Sequence, residues 1–187
     1  MYMETQAERV VRIPPSELGN DLDSIIERIA QETFEGKLGQ DKSVTVLVKN
    51  VKRVGDGRIV HGDGAVYQDV TFDQIIFRLK DNELVEGTVV QITKFGAFIN
   101  FGPLDGLLHV SQILNDRVDP DLENQRLIGK DTGKSLSIGD RVRVRIVGLD
   151  LNEKNVRESK ISLTMRQPGL GRLDWIAEEE SNRKGEA

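Results

Sequence analysis

The chain has 187 residues, enough for one large domain or two small ones. Charged residues make up 30% of it and aromatics only 5%, so each core must be small and mainly aliphatic. The net charge of -5 argues against a protein that coats DNA nonspecifically, and the lack of cysteine excludes disulfides and thiolate metal sites. No stretch reaches the roughly 18 apolar residues that a membrane helix needs, so no membrane role is expected. The opening MYMETQAERVVR mixes charges early and lacks the apolar run of a secretion signal, which gives a cytoplasmic expectation. Charge is unevenly spread: residues 1–82 carry -3, residues 83–173 carry +1 and the tail from Asp174 carries -3. Any RNA contact must therefore come from a local patch and weaken with salt.

In chain order, residues 5–13 read as a short strand closed by Pro14 and Pro15, which cannot donate ladder hydrogen bonds. Asn20 or Asp21 can cap a helix whose Leu22, Ile25, Ile26, Ile29, Ala30 and Phe34 fall on one apolar stripe, with Gly36 as its stop. A valine-rich strand over 43–54 supplies the partner surface. A glycine-rich turn over 55–64 follows, then two strand candidates around 65–71 and 74–80. A helix on an antiparallel sheet makes an α+β unit, taken as residues 1–82.

From Glu83 the pattern becomes all-β with glycine punctuation. Strands are expected near 84–94, 96–101, 106–110, 140–149 and 159–165. Five strands with one long polar connection, Leu114 to Ser137, match a five-stranded Greek-key OB barrel over residues 83–187 including its tail. A short helix or hairpin is expected in that connection. In the stretch EGTVVQITKFGAFINFGPLDGLLHVS, alternation together with the tight bends that Gly96, Gly102 and Gly106 permit can bring Phe95, Phe98 and His109 together on the barrel's outer face, where flat rings stack on unpaired bases. The plain alternative is that the phenylalanines plug the barrel.

Arg141, Arg143 and Arg145 share one face of a strand whose other face carries Val142, Val144 and Ile146. They form either a solvated face paired with nearby acids or a stripe that tracks phosphates. The run Gly129 to Ser135 imitates a phosphate-binding loop, but it has three residues between its glycines and leads into a strand, so nucleotide binding is rejected. His61 and His109, the two histidines, fall in different units, and no spacing gathers carboxylates around either; no metal and no cofactor is expected. The acids Asp116, Asp119, Asp121 and Glu123 raise the possibility of a hydrolase, but they form no recognisable acid–base constellation, and no catalytic residue is assigned.

The string KFGAF…GLLHVSQI resembles the ribosomal-protein S-one type of RNA-binding OB domain, over roughly residues 83 to 166. That resemblance implies a nucleic-acid face at Phe95, Phe98 and His109, joined by Asp150 and Lys160. Many members carry arginine where Lys160 stands; lysine keeps the charge and loses the planar fork. The whole chain, through RIPPSELG, GDGRIVHGDGAVYQDVTF and MRQPGLGRLDWIAEEE, resembles the E-prime family of archaeal RNA polymerase stalk subunits, counterparts of the seventh subunit of eukaryotic RNA polymerase II. The family implies a truncated ribonucleoprotein-like N-terminal domain that docks the stalk on the polymerase core, with the tip at Gly55, Gly57, Gly62, Asp63 and Gly64. It also implies a heterodimer with the smaller stalk protein, known as F, contact with emerging single-stranded RNA, and no catalysis by this chain. The competing expectation is an RNA-binding accessory factor of translation or RNA decay, which explains the barrel and leaves the N-terminal motifs unexplained.

Overall fold

The computed structural model describes residues 1–19, 21–39, 41–152 and 155–185. The chain forms two compact units, Met1–Leu79 and the remainder from Lys80.

In the first unit, β1 (Tyr2–Ile13) leads through a turn at Pro15–Glu17 to helix α1 (Leu22–Phe34), followed by β2 (Ser43–Ile59) and β3 (Val66–Arg78). The sheet order is β1-β3-β2, antiparallel throughout. The apolar stripe of α1 buries Ile25, Ile26 and Ala30 against Val11, Ile13, Val48, Val70 and Phe72 of the three strands. Each fully buried aliphatic side chain contributes about 1.5–3 kcal/mol. Phe34 extends the stripe by stacking on Phe72 at 5.3 Å. Asp21 does stand at the N-cap, but its carboxylate accepts from the Ser24 hydroxyl rather than a helix N–H; Asn20 lies outside the described residues. The Gly36 N–H leaves the helix end to bond the Thr45 carbonyl.

Two features differ from the sequence expectation. The candidates around 65–71 and 74–80 are one strand, β3, in unbroken register with β1 from Tyr2↔Phe77 to Ile13↔Val66. Its polar middle is satisfied within the sheet: Asn50 donates to Asp73 and Gln74 donates to the Thr5 hydroxyl. Also, β2 continues through Gly55 and Gly57 to Ile59, so the turn spans only residues 60–65.

In the second unit, β4 (Leu84–Thr93), β5 (Gly96–Asn100) and β6 (Asp105–His109) form an antiparallel meander. A single turn at Val110–Gln112 follows. The long connection is neither helix nor simple hairpin but a small three-stranded sheet of β7 (Val118–Asp121), β8 (Arg126–Gly129) and β9 (Ser135–Ser137). The chain returns as β10 (Arg141–Asp150) and β11 (Lys160–Thr164). Strand β10 pairs with β4 and β11, and β11 closes the ring by pairing in parallel with β6. The result is the five-stranded closed barrel of an OB fold. Register shifts between Val89 and Gln91 and between Ile146 and Gly148 bend β4 and β10, as closing a small barrel requires. Val142, Val144 and Ile146 point inward with Ala97, Ile99, Leu108 and Leu163, all buried. The chain ends in β12 (Gly171–Arg172), which pairs with β10, and helix α2 (Leu173–Gly185). Among the described residues no helix is long and apolar enough to cross a membrane.

Candidate nucleic-acid interface

The β5–β6 hairpin carries the aromatic cluster. Gly96 pairs with His109 and Phe98 with Leu107, while Val110 donates its N–H to the Phe95 carbonyl at 2.9 Å. These registers bring Phe95, just before β5, Phe98, in its middle, and His109, at the end of β6, onto one two-stranded stretch. Phe95 is 51% exposed, Phe98 half-buried and His109 exposed. The rings therefore stand on the outside while Ala97, Ile99 and Leu108 fill the barrel. Only glycine fits between them: Gly96 has φ of +157°, and a Cβ there would lie 2.2 Å from the Leu108 carbonyl oxygen.

Asp150 and Lys160, both exposed, sit directly opposite each other on β10 and β11. Ser162, two residues beyond Lys160, pairs with Leu107, the cross-strand neighbour of Phe98. The outer row Phe98–Leu107–Ser162 thus runs from the rings toward the strand of Lys160. Sequence reasoning missed Leu107; its signal was the same alternation that singled out His109 two residues later. Gln91, opposite Phe98 on β4, completes the other side and is exposed.

The arginine stripe lies across β4 from this cluster. Arg141 pairs with Thr88 and Arg143 with Glu86. Glu86 accepts from Arg143 Nε and Nη2 at 3.0 and 2.9 Å, and its other oxygen lies 3.7 Å from Arg141. One carboxylate therefore offsets two guanidiniums. Arg145, opposite Leu84, is half-buried, and its Nε is buried without a hydrogen-bond partner among the described residues.

The glycine-rich tip residues separate into two groups. Gly55 and Gly57 lie in β2 at an irregular stretch between Val54 and Arg58. There Gly55 takes the left-handed φ of +64°, which lets the buried Gln68 amide donate to the Val54 and Gly55 carbonyls at 3.2 and 3.3 Å. Gly62, Asp63 and Gly64 form the hairpin end. Asp63 accepts from Arg12 Nε and Nη2 at 2.9 and 2.6 Å and from the Tyr67 hydroxyl at 2.7 Å. These donors favour the carboxylate and lower the Asp63 pKa to about 2. Ile59 and Val60, 74% and 47% exposed, present apolar surface beside it.

The acidic run and the phosphate-loop imitation are parts of the small sheet. Asp116 accepts from the Asp131 and Thr132 amides and the Thr132 hydroxyl, Asp119 pairs with Lys130, and Asp121 accepts from Asn124 and Arg126. Residues 129–135 make a strand-to-strand turn, with Gly129 donating to the Lys134 carbonyl and Gly133 to the Gly129 carbonyl. A phosphate-binding loop would lead into a helix.

Comparison with known proteins agrees with this architecture. The S1 RNA binding domain matches residues 78–161, and the SHS2 domain found in the N terminus of Rpb7p/Rpc25p/MJ0397 matches residues 8–64. DNA-directed RNA polymerase subunit Rpo7 of Sulfolobus acidocaldarius is 38% identical over 179 residues, covering 96% of this chain and 97% of that protein. Small ribosomal subunit protein bS1 of Leuconostoc lactis is 39% identical over 104 residues, covering 56% of this chain and 21% of that protein. Among solved structures, the apo form of Mycoplasma genitalium RNase R covers 44% of this chain and 13% of that one at a TM-score of 0.38 and 26% identity. The Rpo7 match runs over nearly the whole of both chains, and the SHS2 match falls in the helix-and-sheet unit: the chain belongs to the Rpo7, or E-prime, family of archaeal DNA-directed RNA polymerase stalk subunits.

Proposed function

We propose that this chain is a non-catalytic polymerase subunit with two jobs, docking through residues 1–82 and holding emerging single-stranded RNA on the barrel within residues 83–187. In this reading it forms a heterodimer with the smaller stalk protein F, and the hairpin end around Gly62, Asp63 and Gly64 is its contact with the core. The RNA face consists of Phe95, Phe98 and His109, with Asp150 and Lys160 on the neighbouring strands. The observation that carries the reading is the exposure of Phe95 beside Phe98 and His109 on adjoining strands. A ring half out of the barrel offers a base a stacking surface without unfolding anything. The engagement of Asp116, Asp119 and Asp121 in hydrogen bonds and ion pairs of the small sheet supports the non-catalytic assignment. The full-length relatives are archaeal, and archaeal cells have no nucleus, which supports the cytoplasmic expectation.

Titration of labelled single-stranded RNA with the full chain tests the face. Stacking contributes about 1–3 kcal/mol per base, so Phe95→Ala/Phe98→Ala/His109→Ala should lose at least about tenfold in affinity. An affinity equal to that of the unaltered chain would remove these three residues from the interface.

A further inference from the structure

The turn after β6 ties the His109 ring to Ser111 and, through the Ser111 carbonyl, to Arg166 beyond the end of β11. The Ser111 backbone N–H donates to His109 Nδ1 at 3.3 Å, and the Ser111 hydroxyl lies 2.9 Å from the same nitrogen. A backbone amide is always a donor, so Nδ1 is the accepting nitrogen and the neutral ring carries its proton on Nε2. The carbonyl of the same serine accepts from Arg166 Nη1 at 3.4 Å, while Asn115 Oδ1 accepts from Arg166 Nε at 2.7 Å. Both acceptors are uncharged. Among the described residues no carboxylate pairs with Arg166, in contrast to Arg143 on Glu86.

The position of Arg166 is fixed by the same turn. Met165 donates its N–H to the Gln112 carbonyl at 2.9 Å, and the Thr164 hydroxyl donates to the Gln112 side chain at 2.8 Å. The end of β11 is thereby tied to the residues following His109. Arg166 is exposed and keeps Nη2, with both its N–H donors, for an outside acceptor.

We infer that this turn builds a phosphate clamp for the RNA backbone: His109 donates through Nε2–H, Arg166 supplies the charge, and Ser111 is the positioning residue for both. The inference rests on the proposed RNA-binding role of the barrel and adds a contact at the end of the aromatic face. It differs from stacking in its consequence. A base stacked on phenylalanine releases no counterion, whereas a neutralised phosphate does.

Two measurements on the full chain test it. The first is the long-range 1H–15N spectrum of His109 without RNA at mildly alkaline pH. Nδ1 should be the unprotonated nitrogen; a proton on Nδ1 would overturn the role of Ser111. The second is the salt dependence of single-stranded RNA affinity. Each phosphate contact on a single strand contributes about 0.7 to the slope of log affinity against log salt. Arg166→Gln should lower the slope by about that amount, Arg166→Lys should restore it, and Phe95→Ala should weaken binding without changing it. Binding with an unaltered slope in Arg166→Gln overturns the clamp and leaves the aromatic face standing. A chain that binds no RNA at any salt overturns both.

Discussion

Asp63 shows how a residue near a proposed contact surface can be committed to holding that surface in shape. Arg12 reaches it from β1 and Tyr67 from β3, so the hairpin end is braced to two of the three strands of its sheet. The brace has a pH signature. The Asp63 pKa falls from 3.8 to about 2, chiefly through the Arg12 hydrogen bonds and then that of Tyr67. A carboxyl depressed in the folded state stabilises it fully above the unfolded pKa and progressively less as pH falls toward the folded one. Amide exchange at residues 60–65 should therefore accelerate relative to the barrel as pH drops from about 4 to about 2, with Asp63→Asn abolishing that difference. An Asp63→Asn hairpin with the same acid sensitivity would assign the effect to another group. The glycines around it were legible in the sequence as a turn. The arginine that holds them was not, because Arg12 lies 51 residues away and is unremarkable among the exposed residues of β1.

At the scale of elements, legibility followed periodicity and punctuation. Helix α1 was readable because Ile25, Ile26, Ile29 and Phe34 repeat at helical spacing. The barrel strands were readable to within a residue or two because apolar alternation is punctuated by Gly96, Gly102 and Gly139, at or beside the ends of β5 and β10. The single strand β3 was hidden because Asp73 and Gln74 put polar side chains in its middle, whose partners Asn50 and Thr5 lie on the neighbouring strands and far away in sequence. The small sheet of β7, β8 and β9 was hidden because its strands are three or four residues long, with little besides Leu127 and Leu136 buried. Helix α2 has no apolar stripe; Trp175 and Ile176 anchor its first turn, with Lys134 and Arg172 over the indole at 5.2 and 5.4 Å. The irregular stretch of β2 makes an element-level prediction. Gln68 is buried and donates to the carbonyls of Val54, Gly55 and Asp69. Gln68→Ala strips those acceptors of their partner and should cost about 1–3 kcal/mol, read by chemical denaturation. Gln68→Glu keeps the volume but supplies an acceptor where a donor is needed, so it should fare no better than alanine. A stable glutamate variant would mean that the bulge holds without the amide.

At the scale of the whole molecule, two units carry different kinds of surface. The first ends in an exposed apolar hairpin with Ile59 and Val60 at its base, and the second bears rings and cations on a closed barrel. Apolar side chains left in water are a cost that a protein contact recovers, and a braced hairpin presents them without further ordering. Rings beside donors suit a flexible, charged strand instead. If docking and RNA holding are assigned correctly, they should separate by mutation. Ile59→Asp/Val60→Asp should abolish co-purification with the polymerase core while leaving single-stranded RNA affinity within about twofold, because both positions lie outside the unit that carries the RNA face. Phe95→Ala/Phe98→Ala/His109→Ala should do the reverse, keeping the core and losing the RNA. Thermal unfolding of each variant would show whether the altered unit is still folded, since these side chains are exposed or half-buried and their replacement removes little core packing. Loss of both activities from either set, in a folded variant, would mean that the two surfaces work as one.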